Sequence, residues 1–414
     1  MTQLRTYCIV LLFCAGAVIA AAAQSVSFST LASFNGSDGA GPGYMTLVQG
    51  SDLNFYGTTV EGGANSNNIC TFYGYPGCGT VFIMTPGGSL SALYSFCSSP
   101  NCADGAVPLA GLVQGSDGNF WGTTSLGGAY CSPSGCGTVF KITPTGALTT
   151  MHSFDGADGS SPGMVVRATD GNFYGTTTSG GAYGEGTIFK ITPLGVLTTL
   201  YSFCSQPGCP DGSAPGTLVQ GSDGNFYGTK QYGGASGAGT VFRFILPNQL
   251  TTLYSFCTQP NCRDGTAPVG LVQAADGNFY GTTFLGGSPS CTNGCGTVFK
   301  ISPEYPYALT TLYRFDGVHG SWPMVGPVQG MDENFYGTAE GGGANNYGAI
   351  FQVTPAGVET TLHSFNGNDG YPPFGGLVQA RDGFFYGTAD QGGAYDYGTV
   401  FRVGVVRPCL TCRP

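Results

Sequence analysis

The chain repeats one short sequence pattern seven times, and this repetition constrains its fold more than any other feature. The first marker is Asn-Phe-Tyr-Gly-Thr or a close variant, with its first aromatic residue at Phe55, Phe120, Phe173, Phe226, Phe279, Phe335 and Phe385. The second marker, Gly-Thr-Val-Phe or a variant, begins at Gly79, Gly137, Gly186, Gly239, Gly296, Gly348 and Gly398. The third, Leu-Thr-Thr-Leu-Tyr-Ser-Phe or a variant, ends at Phe34, Phe96, Phe154, Phe203, Phe256, Phe315 and Phe365. Three markers with the same count indicate one structural unit of roughly 50 residues.

One unit, from Pro215 to Phe256, predicts four antiparallel strands. The expected strands cover residues 217–220, 225–229, 239–244 and 250–256. Asp223-Gly224 lies between the first two, and this pair tolerates the positive φ values of hairpin turns. Four strands in a unit of this length are typical of a propeller blade. We therefore expect an all-β, seven-bladed β-propeller with four antiparallel strands per blade.

The order of the strands predicts how the ring closes. The chain has a fourth-type strand, residues 27–34, before its first complete unit, and its last unit ends with a third-type strand, residues 398–403. Pairing these two strands completes the seventh blade and removes two exposed sheet edges. The N-terminal strand is thus expected to pair with the last blade.

The two ends of the chain predict export. Arg5, an apolar stretch over residues 8–18 and the small residues Ala21-Ala22-Ala23 match a cleaved signal peptide over residues 1–23. The propeller is then expected over residues 24–404, followed by a short tail, 405–414. We expect a secreted or cell-envelope protein, monomeric, with no integral membrane span in the mature chain.

The net charge of −10 and scattered basic residues argue against nucleic acid as a partner.

Fourteen cysteines remain after the predicted signal peptide, and they form seven local pairs. The pairs are Cys70 with Cys78, Cys97 with Cys102, Cys131 with Cys136, Cys204 with Cys209, Cys257 with Cys262, Cys291 with Cys295, and Cys409 with Cys412. Close, even-numbered pairs in an exported chain indicate disulfides. Zinc is the alternative, and it would require two pairs to converge.

The long loops are predicted to share one end of the ring. The connections between strands two and three, and between strand four and the next blade, emerge at the same end of an up-down blade. We call this end the loop face, and the opposite end, with its short turns, the turn face. Aromatic residues with a polar tip recur on the loop face and suit a glycan or protein ligand. These candidate binding residues are Tyr73, Tyr75, Tyr130, Tyr183, Trp322, Tyr347, Tyr371, Tyr395 and Tyr397.

The sequence contains few residues of the types that act in catalysis, and we assign no catalytic residue. Only three histidines occur, and His152 and His363 replace a tyrosine of the fourth strand, which predicts packed strand residues. The acids outside the repeat pattern are Glu61, Glu185, Glu340, Asp390 and Asp396, from which a glycosidase would need two. No cofactor is expected, although the turns around Asp155, Asp158 and Asp369 resemble calcium loops.

A glutamine ends the first strand in six units and leaves two interpretations. The residues are Gln49, Gln114, Gln220, Gln273, Gln329 and Gln379, with Arg167 in the remaining unit. They would either line the central channel or hold a strand or turn by hydrogen bonds.

The three markers together resemble the GloVer (Gloeobacter–Verrucomicrobia) tandem repeat, a family of bacterial exported proteins described as choice-of-anchor. The resemblance covers nearly the whole mature chain and implies no catalytic residues. The leading functional hypothesis is a non-enzymatic extracellular binding or scaffold protein that uses its loop face on a glycan or an extracellular protein. The alternatives are a carbohydrate-active enzyme, hydrolase or lyase, with a carboxylate pair on the same face, and a purely structural envelope protein.

Overall fold

The computed structural model describes residues 25–70, 74–206 and 208–406 and has seven antiparallel sheets arranged in a ring. Each sheet has four strand positions, and in two of them the first position is split into two short segments that pair with the same neighbour. The predicted all-β, seven-bladed propeller is therefore confirmed. The predicted signal peptide (1–23) and Tyr73 lie outside the described residues.

The strands follow the repeat from blade to blade. The chain opens with β1 (Ser25–Ser33). Blade 1 has β2 (Val48–Gln49), β3 (Phe55–Thr59), β4 (Thr80–Met84) and β5 (Leu90–Ser95). Blade 2 has β6 (Val113–Gln114), β7 (Phe120–Thr124), β8 (Thr138–Ile142) and β9 (Leu148–Ser153). Blade 3 has β10 (Ser160–Pro162), β11 (Val166–Arg167), β12 (Phe173–Ser179), β13 (Thr187–Ile191) and β14 (Leu197–Ser202).

The remaining blades continue in the same way. Blade 4 has β15 (Ser213–Pro215), β16 (Val219–Gln220), β17 (Phe226–Tyr232), β18 (Thr240–Ile245) and β19 (Gln249–Ser255). Blade 5 has β20 (Thr266–Gln273), β21 (Phe279–Leu285), β22 (Thr297–Ile301) and β23 (Leu309–Arg314). Blade 6 has β24 (Val328–Gln329), β25 (Phe335–Ala339), β26 (Ala349–Val353) and β27 (Glu359–Ser364). Blade 7 has β28 (Val378–Gln379), β29 (Phe385–Ala389) and β30 (Thr399–Val406). Among the loops, short 3₁₀ turns cover Asn68–Cys70, Pro100–Cys102 and Pro260–Cys262.

The first and last strands close the ring, as their order predicted. β1 pairs with β30 in antiparallel register, from Ser25 opposite Val406 to Ser33 opposite Thr399. Inside this pairing Phe28 stacks on His363 of the neighbouring blade, with ring centroids 3.5 Å apart. β1 thus supplies the outer strand that blade 7 lacks and packs that blade against blade 6.

Aromatic stacking joins every blade to the next. The second aromatic residue of the first marker stacks on the first aromatic residue of the next copy, as Tyr56 does on Phe120 at 4.0 Å between centroids. The equivalent ring contacts at the other interfaces, two of them tilted, join Trp121–Phe173, Tyr174–Phe226, Tyr227–Phe279, Tyr280–Phe335, Tyr336–Phe385 and Tyr386–Phe55. The glycine that follows is also required, because a Cβ on Gly57 would lie 2.6 Å from the Phe82 ring. The aromatic pair of the first marker therefore forms a contact between neighbouring blades, and its glycine packs inside its own blade.

The repeated glutamines are clasps between blades on the turn face. The Oε1 of Gln273 accepts the backbone N–H of Ser222 in the preceding blade at 2.7 Å, while its Nε2 donates to Gly277 in its own blade. The same inter-blade bond recurs at Gln49, Gln114, Gln220, Gln329 and Gln379. The interpretation as structural hydrogen bonds is confirmed. In blade 3 this position is Arg167, so no glutamine joins blade 3 to blade 2.

No helix within the described ranges is long and apolar enough to cross a membrane.

Candidate functional site

The loops of the loop face are tied to one another within each blade. The backbone N–H of Gly287, after β21, donates to Cys262 in the loop that enters the same blade, and Gly128 does the same to Cys102. Both kinds of connection therefore leave the same end of the ring. The repeated aspartates lie in the tight turns of the turn face and stabilise them by hydrogen bonds. Asp223, for example, accepts hydrogen bonds from Asn225 and Tyr227.

Six of the seven predicted disulfides are present, and they clamp the loop face. Three close loops between the second and third strands of a blade, and three close loops that enter a blade. The bonds are Cys70–Cys78, Cys131–Cys136, Cys291–Cys295, Cys97–Cys102, Cys204–Cys209 and Cys257–Cys262. The seventh predicted pair is not among these bonds, because Cys409 and Cys412 both lie outside the described residues. A disulfide between Cys409 and Cys412 therefore stays a prediction.

Two of the disulfides lie close together where blade 1 meets the loop that enters blade 2. The sulfurs of Cys70–Cys78 and Cys97–Cys102 all lie within 4.8 Å of one another. This is the convergence of two pairs that the zinc alternative requires. A zinc site there would need both bonds to be reduced, because a disulfide sulfur offers no thiolate.

The two predicted strand histidines have structural partners. His152 Nε2 lies 2.6 Å from Asp158, and His363 Nε2 lies 2.9 Å from Asp369. Tyr254 makes the equivalent contact to Asp264 through its hydroxyl group. Both histidines are packed strand residues, as predicted, and each also holds a loop through its carboxylate partner. The expectation that no cofactor is bound stays a prediction.

Three of the predicted aromatic residues meet in one cleft between blades 6 and 7. Trp322, Tyr347 and Tyr371 line a cavity of about 440 Å³ together with Glu340 and Asp390. We call this cavity the aromatic cleft. Its inner end carries Tyr44 and Phe374, whose rings stack at 4.7 Å. Tyr44 also lines a central cavity of about 450 Å³ that residues before the first strands of blades 2, 3, 4 and 6 share, so the cleft lies beside that cavity.

The walls of the aromatic cleft are held by backbone and side-chain hydrogen bonds. The indole Nε1 of Trp322 donates to the backbone oxygen of Gly294 at 3.0 Å, and its backbone N–H donates to Cys295. Tyr371 pairs with Gln391 through two backbone hydrogen bonds. The Tyr347 and Tyr371 rings lie 4.9 Å apart. These contacts hold the walls of the cleft in place. They leave the hydroxyl groups of Tyr347 and Tyr371 without a hydrogen bond to any described residue.

The two carboxyl groups of the aromatic cleft occupy the same position of adjacent blades. Glu340 directly follows β25, and its backbone N–H donates to Trp322; Asp390 directly follows β29, and its backbone N–H donates to Pro372. The equivalent residues in the other blades are Val60, Ser125, Thr178, Gln231 and Phe284. Acidic side chains therefore occur at this position only where the aromatic cleft forms.

Burial changes the acidity of both groups. Asp390 is 7% exposed, and burial, with a further contribution from the charge of Glu61, raises its pKa to about 7. A hydrogen bond from the backbone of Gly43 opposes this shift. Burial also raises the pKa of Glu340. Near neutral pH, Asp390 is thus divided between its protonated and ionised forms, which is the condition for a proton donor.

The other predicted residues lie elsewhere on the loop face. Tyr75 donates through its hydroxyl to the backbone of Asp396 and packs on Tyr397 at 4.9 Å, so these two tyrosines brace neighbouring loops. Tyr130, Tyr183 and Tyr395 are more than half exposed and lie apart from the aromatic cleft.

The remaining acids do not join the cleft. Glu61 is buried, and its carboxylate accepts the backbone N–H of Tyr75. Glu185 and Asp396 are exposed. Sequence reasoning did not identify Tyr44 and Phe374, although both closely follow a proline before the first strand of a blade, at residues 42 and 373.

Solved structures with a similar fold include enzymes and a surface protein. The putative 6-phosphogluconolactonase of Bacteroides uniformis has a TM-score of 0.49 and 14% identity, over 77% of this chain and 83% of that one. The α-L-arabinanase of Penicillium chrysogenum has a TM-score of 0.45 and 11% identity, over 72% and 93%. PorZ, a surface component of the type IX secretion system of Porphyromonas gingivalis, has a TM-score of 0.50 and 12% identity, over 86% and 45%. At these identities the similarity shows the fold alone.

The sequence comparisons identify the family. No curated protein sequence matches the chain. The profile of the Gloeobacter/Verrucomicrobia repeat matches residues 14–162, 67–291 and 257–407, which overlap and span most of the sequence. This chain therefore belongs to the Gloeobacter/Verrucomicrobia repeat family.

Proposed function

We propose that the protein is an exported saccharide-binding propeller whose aromatic cleft holds the ligand. The observation that carries the proposal is the convergence of Trp322, Tyr347 and Tyr371 around two carboxyl groups in one cavity. Aromatic faces pack on the apolar C–H faces of sugar rings, while carboxyl oxygens accept hydrogen bonds from sugar hydroxyls. The six disulfides support a site of action outside the reducing cytoplasm.

The binding proposal is tested with a glycan array on the mature protein, followed by calorimetry on the saccharides that bind. Trp322→Ala and Tyr371→Ala remove cleft walls and are expected to weaken binding at least tenfold, since each deletes a stacking surface. Tyr183→Ala is the matched control, because this tyrosine is 54% exposed and lies on the loop face outside the aromatic cleft. Equal losses in all three variants, or an array without any bound glycan, would contradict the proposal.

A second candidate function is hydrolysis of the bound saccharide. It is favoured by one observation, the rise of the Asp390 pKa to about 7 in a cavity that Glu340 also lines. A buried, half-protonated carboxyl group that shares a cleft with a second carboxyl group suits an acid catalyst of glycoside cleavage. In this role Asp390 would donate a proton to the leaving oxygen.

Hydrolysis is tested by incubating the saccharides that bind and measuring newly formed reducing ends. Asp390→Asn is expected to reduce the rate at least 100-fold while binding is retained, because the amide keeps the shape but donates no acidic proton. The wild-type rate should fall as the pH rises above 7, where Asp390 loses its proton. Glu185→Gln changes an exposed acid outside the cleft and serves as the control. Wild-type protein that binds saccharide without releasing reducing ends would leave binding as the function.

A further inference from the structure

Two arginines from different parts of the repeat meet in a second cleft of the loop face, at blade 5. Arg263 lies in the loop that enters this blade, and Arg314 ends β23, its outer strand. The Nε of Arg314 donates to the backbone oxygen of Arg263 at 2.8 Å. Both side chains line a cavity of about 760 Å³, together with the polar residues Asn261, Ser288 and Asn293. We call this cavity the cationic cleft.

The repeat does not require either arginine. The position of Arg314 is serine in every other unit: Ser33, Ser95, Ser153, Ser202, Ser255 and Ser364. The position of Arg263 is uncharged in the others: Ser37, Ala103, Ala157, Pro210, Val318 and Asn368. A fold contact shared by all blades therefore cannot explain the pair. Two independent departures from the repeat, 51 residues apart, converge on one cavity.

None of the other lysine and arginine side chains within the described ranges lines this cleft. Lys141 and Lys300, near the ends of their strands, pair with aspartates of the turn face, at 3.9 and 2.8 Å. Lys190, Arg243 and Arg402 occupy the same strand position, Arg167 and Arg381 lie at the turn face, and Lys230 is buried. The cationic cleft is thus a local positive site on an acidic chain of net charge −10.

Neither guanidinium group forms an ion pair with any carboxylate in the part of the chain that the structure describes. Burial and the positive charge of Arg263 lower the pKa of Arg314, and Asp264 opposes this shift. Asp264 is itself engaged, because it accepts hydrogen bonds from Tyr254 and Thr258. An oxyanion between the two guanidinium groups would relieve their mutual repulsion.

We propose that the cationic cleft binds an oxyanion, a carboxylate or sulfate group, carried by an acidic saccharide. Guanidinium groups present planar pairs of donors that match such groups, and donors of Arg314 beyond its Nε make no hydrogen bond to the described residues. Asn261, Ser288 and Asn293 supply neutral hydrogen-bonding groups for sugar hydroxyls beside the charge. The cleft uses no residue of the aromatic cleft, so this inference stands without the proposed function.

The test is calorimetric titration of the mature protein at low ionic strength with three probes: sodium sulfate, a galacturonic acid tetramer and a neutral galactose tetramer. Arg263→Ala and Arg314→Ser install residues that other units carry, so both variants should fold. Each is expected to weaken binding of the acidic tetramer at least tenfold and to leave the neutral tetramer unchanged. Lys190→Ala removes the same charge from a strand outside the cleft and should change neither.

The outcomes separate the sources of the anion and the two clefts. Sulfate binding as tight as that of the acidic tetramer would identify the ligand as a free anion, still held by the arginines. Unchanged binding of the acidic tetramer in the Arg263→Ala/Arg314→Ser double variant would overturn the proposal, as would no binding of sulfate or the tetramer. Trp322→Ala tests the aromatic cleft separately, because loss of binding there leaves the cationic cleft intact.

Discussion

Single residues that break the repeat carry most of the information about this protein, and Lys230 is a fully buried, charged example. In four blades two threonines of the second and third strands share a buried hydrogen bond, as Thr283 and Thr297 do at 2.9 Å. Lys230 takes the place of one such threonine. Its ammonium group lies 4.8 Å from the centre of the Phe203 ring, is fully buried and has no hydrogen-bond partner among the described residues.

Replacing this lysine by the repeat residue, Lys230→Thr, is expected to stabilise the fold by an amount that depends on pH. Burial lowers the pKa of Lys230 to about 7, against 10.5 in the unfolded chain. Between these values unfolding takes up a proton, so the stability of the wild type rises with pH. The gain from the substitution should therefore be largest at and below pH 7, on the order of a few kcal/mol, and shrink towards pH 10.5.

Urea unfolding at pH 6.5, 8 and 9.5 measures this gain. Lys190→Thr, on a partly exposed strand position, is the control and should show no such pH dependence. A gain that is the same at all three pH values would contradict the explanation.

At the level of elements, the outer strand of blade 7 is the least local contact in the fold. β1 and β30 pair across nearly the whole chain, whereas the other blades form from consecutive strands. Without β1, the backbone groups of β30 would form an open sheet edge, and Phe28 would no longer stack on His363. The ring would then be held shut only by contacts such as the Phe55–Tyr386 stack and the Gln49 clasp.

Deleting Ser25–Ser33 from the mature protein is expected to lower the free energy of unfolding by several kcal/mol, because a whole strand and its packing are lost. Thermal unfolding followed by circular dichroism measures the loss. A synthetic peptide of these residues, added in excess, should restore part of the lost stability by mass action. An unchanged midpoint after the deletion would show that the closure does not hold the ring.

At the scale of the whole molecule, seven similar blades produce a ring whose two faces differ. The turn face repeats the same aspartate turns around the ring and carries glutamine clasps at six of the seven blade interfaces. The loop face differs from blade to blade, because its loops vary in length and disulfide content. Both clefts arise on this face where neighbouring loops depart from the repeat. The aromatic cleft forms at blades 6 and 7, and the cationic cleft at blade 5.

The sequence by itself determined the blade count, the strand order, the ring closure and the six local disulfides of the loop face. These features depend on contacts within one unit or on contacts that recur in every unit, so a repeated motif reveals them. Only the tertiary structure decided which loop residues meet. Trp322, Tyr347 and Tyr371 converge, whereas Tyr130 and Tyr183 do not, because loop paths and side-chain directions across a blade interface set these distances. The spacing of Arg263 and Arg314 in the sequence likewise does not predict that they meet. Only the tertiary structure shows that both line the cationic cleft.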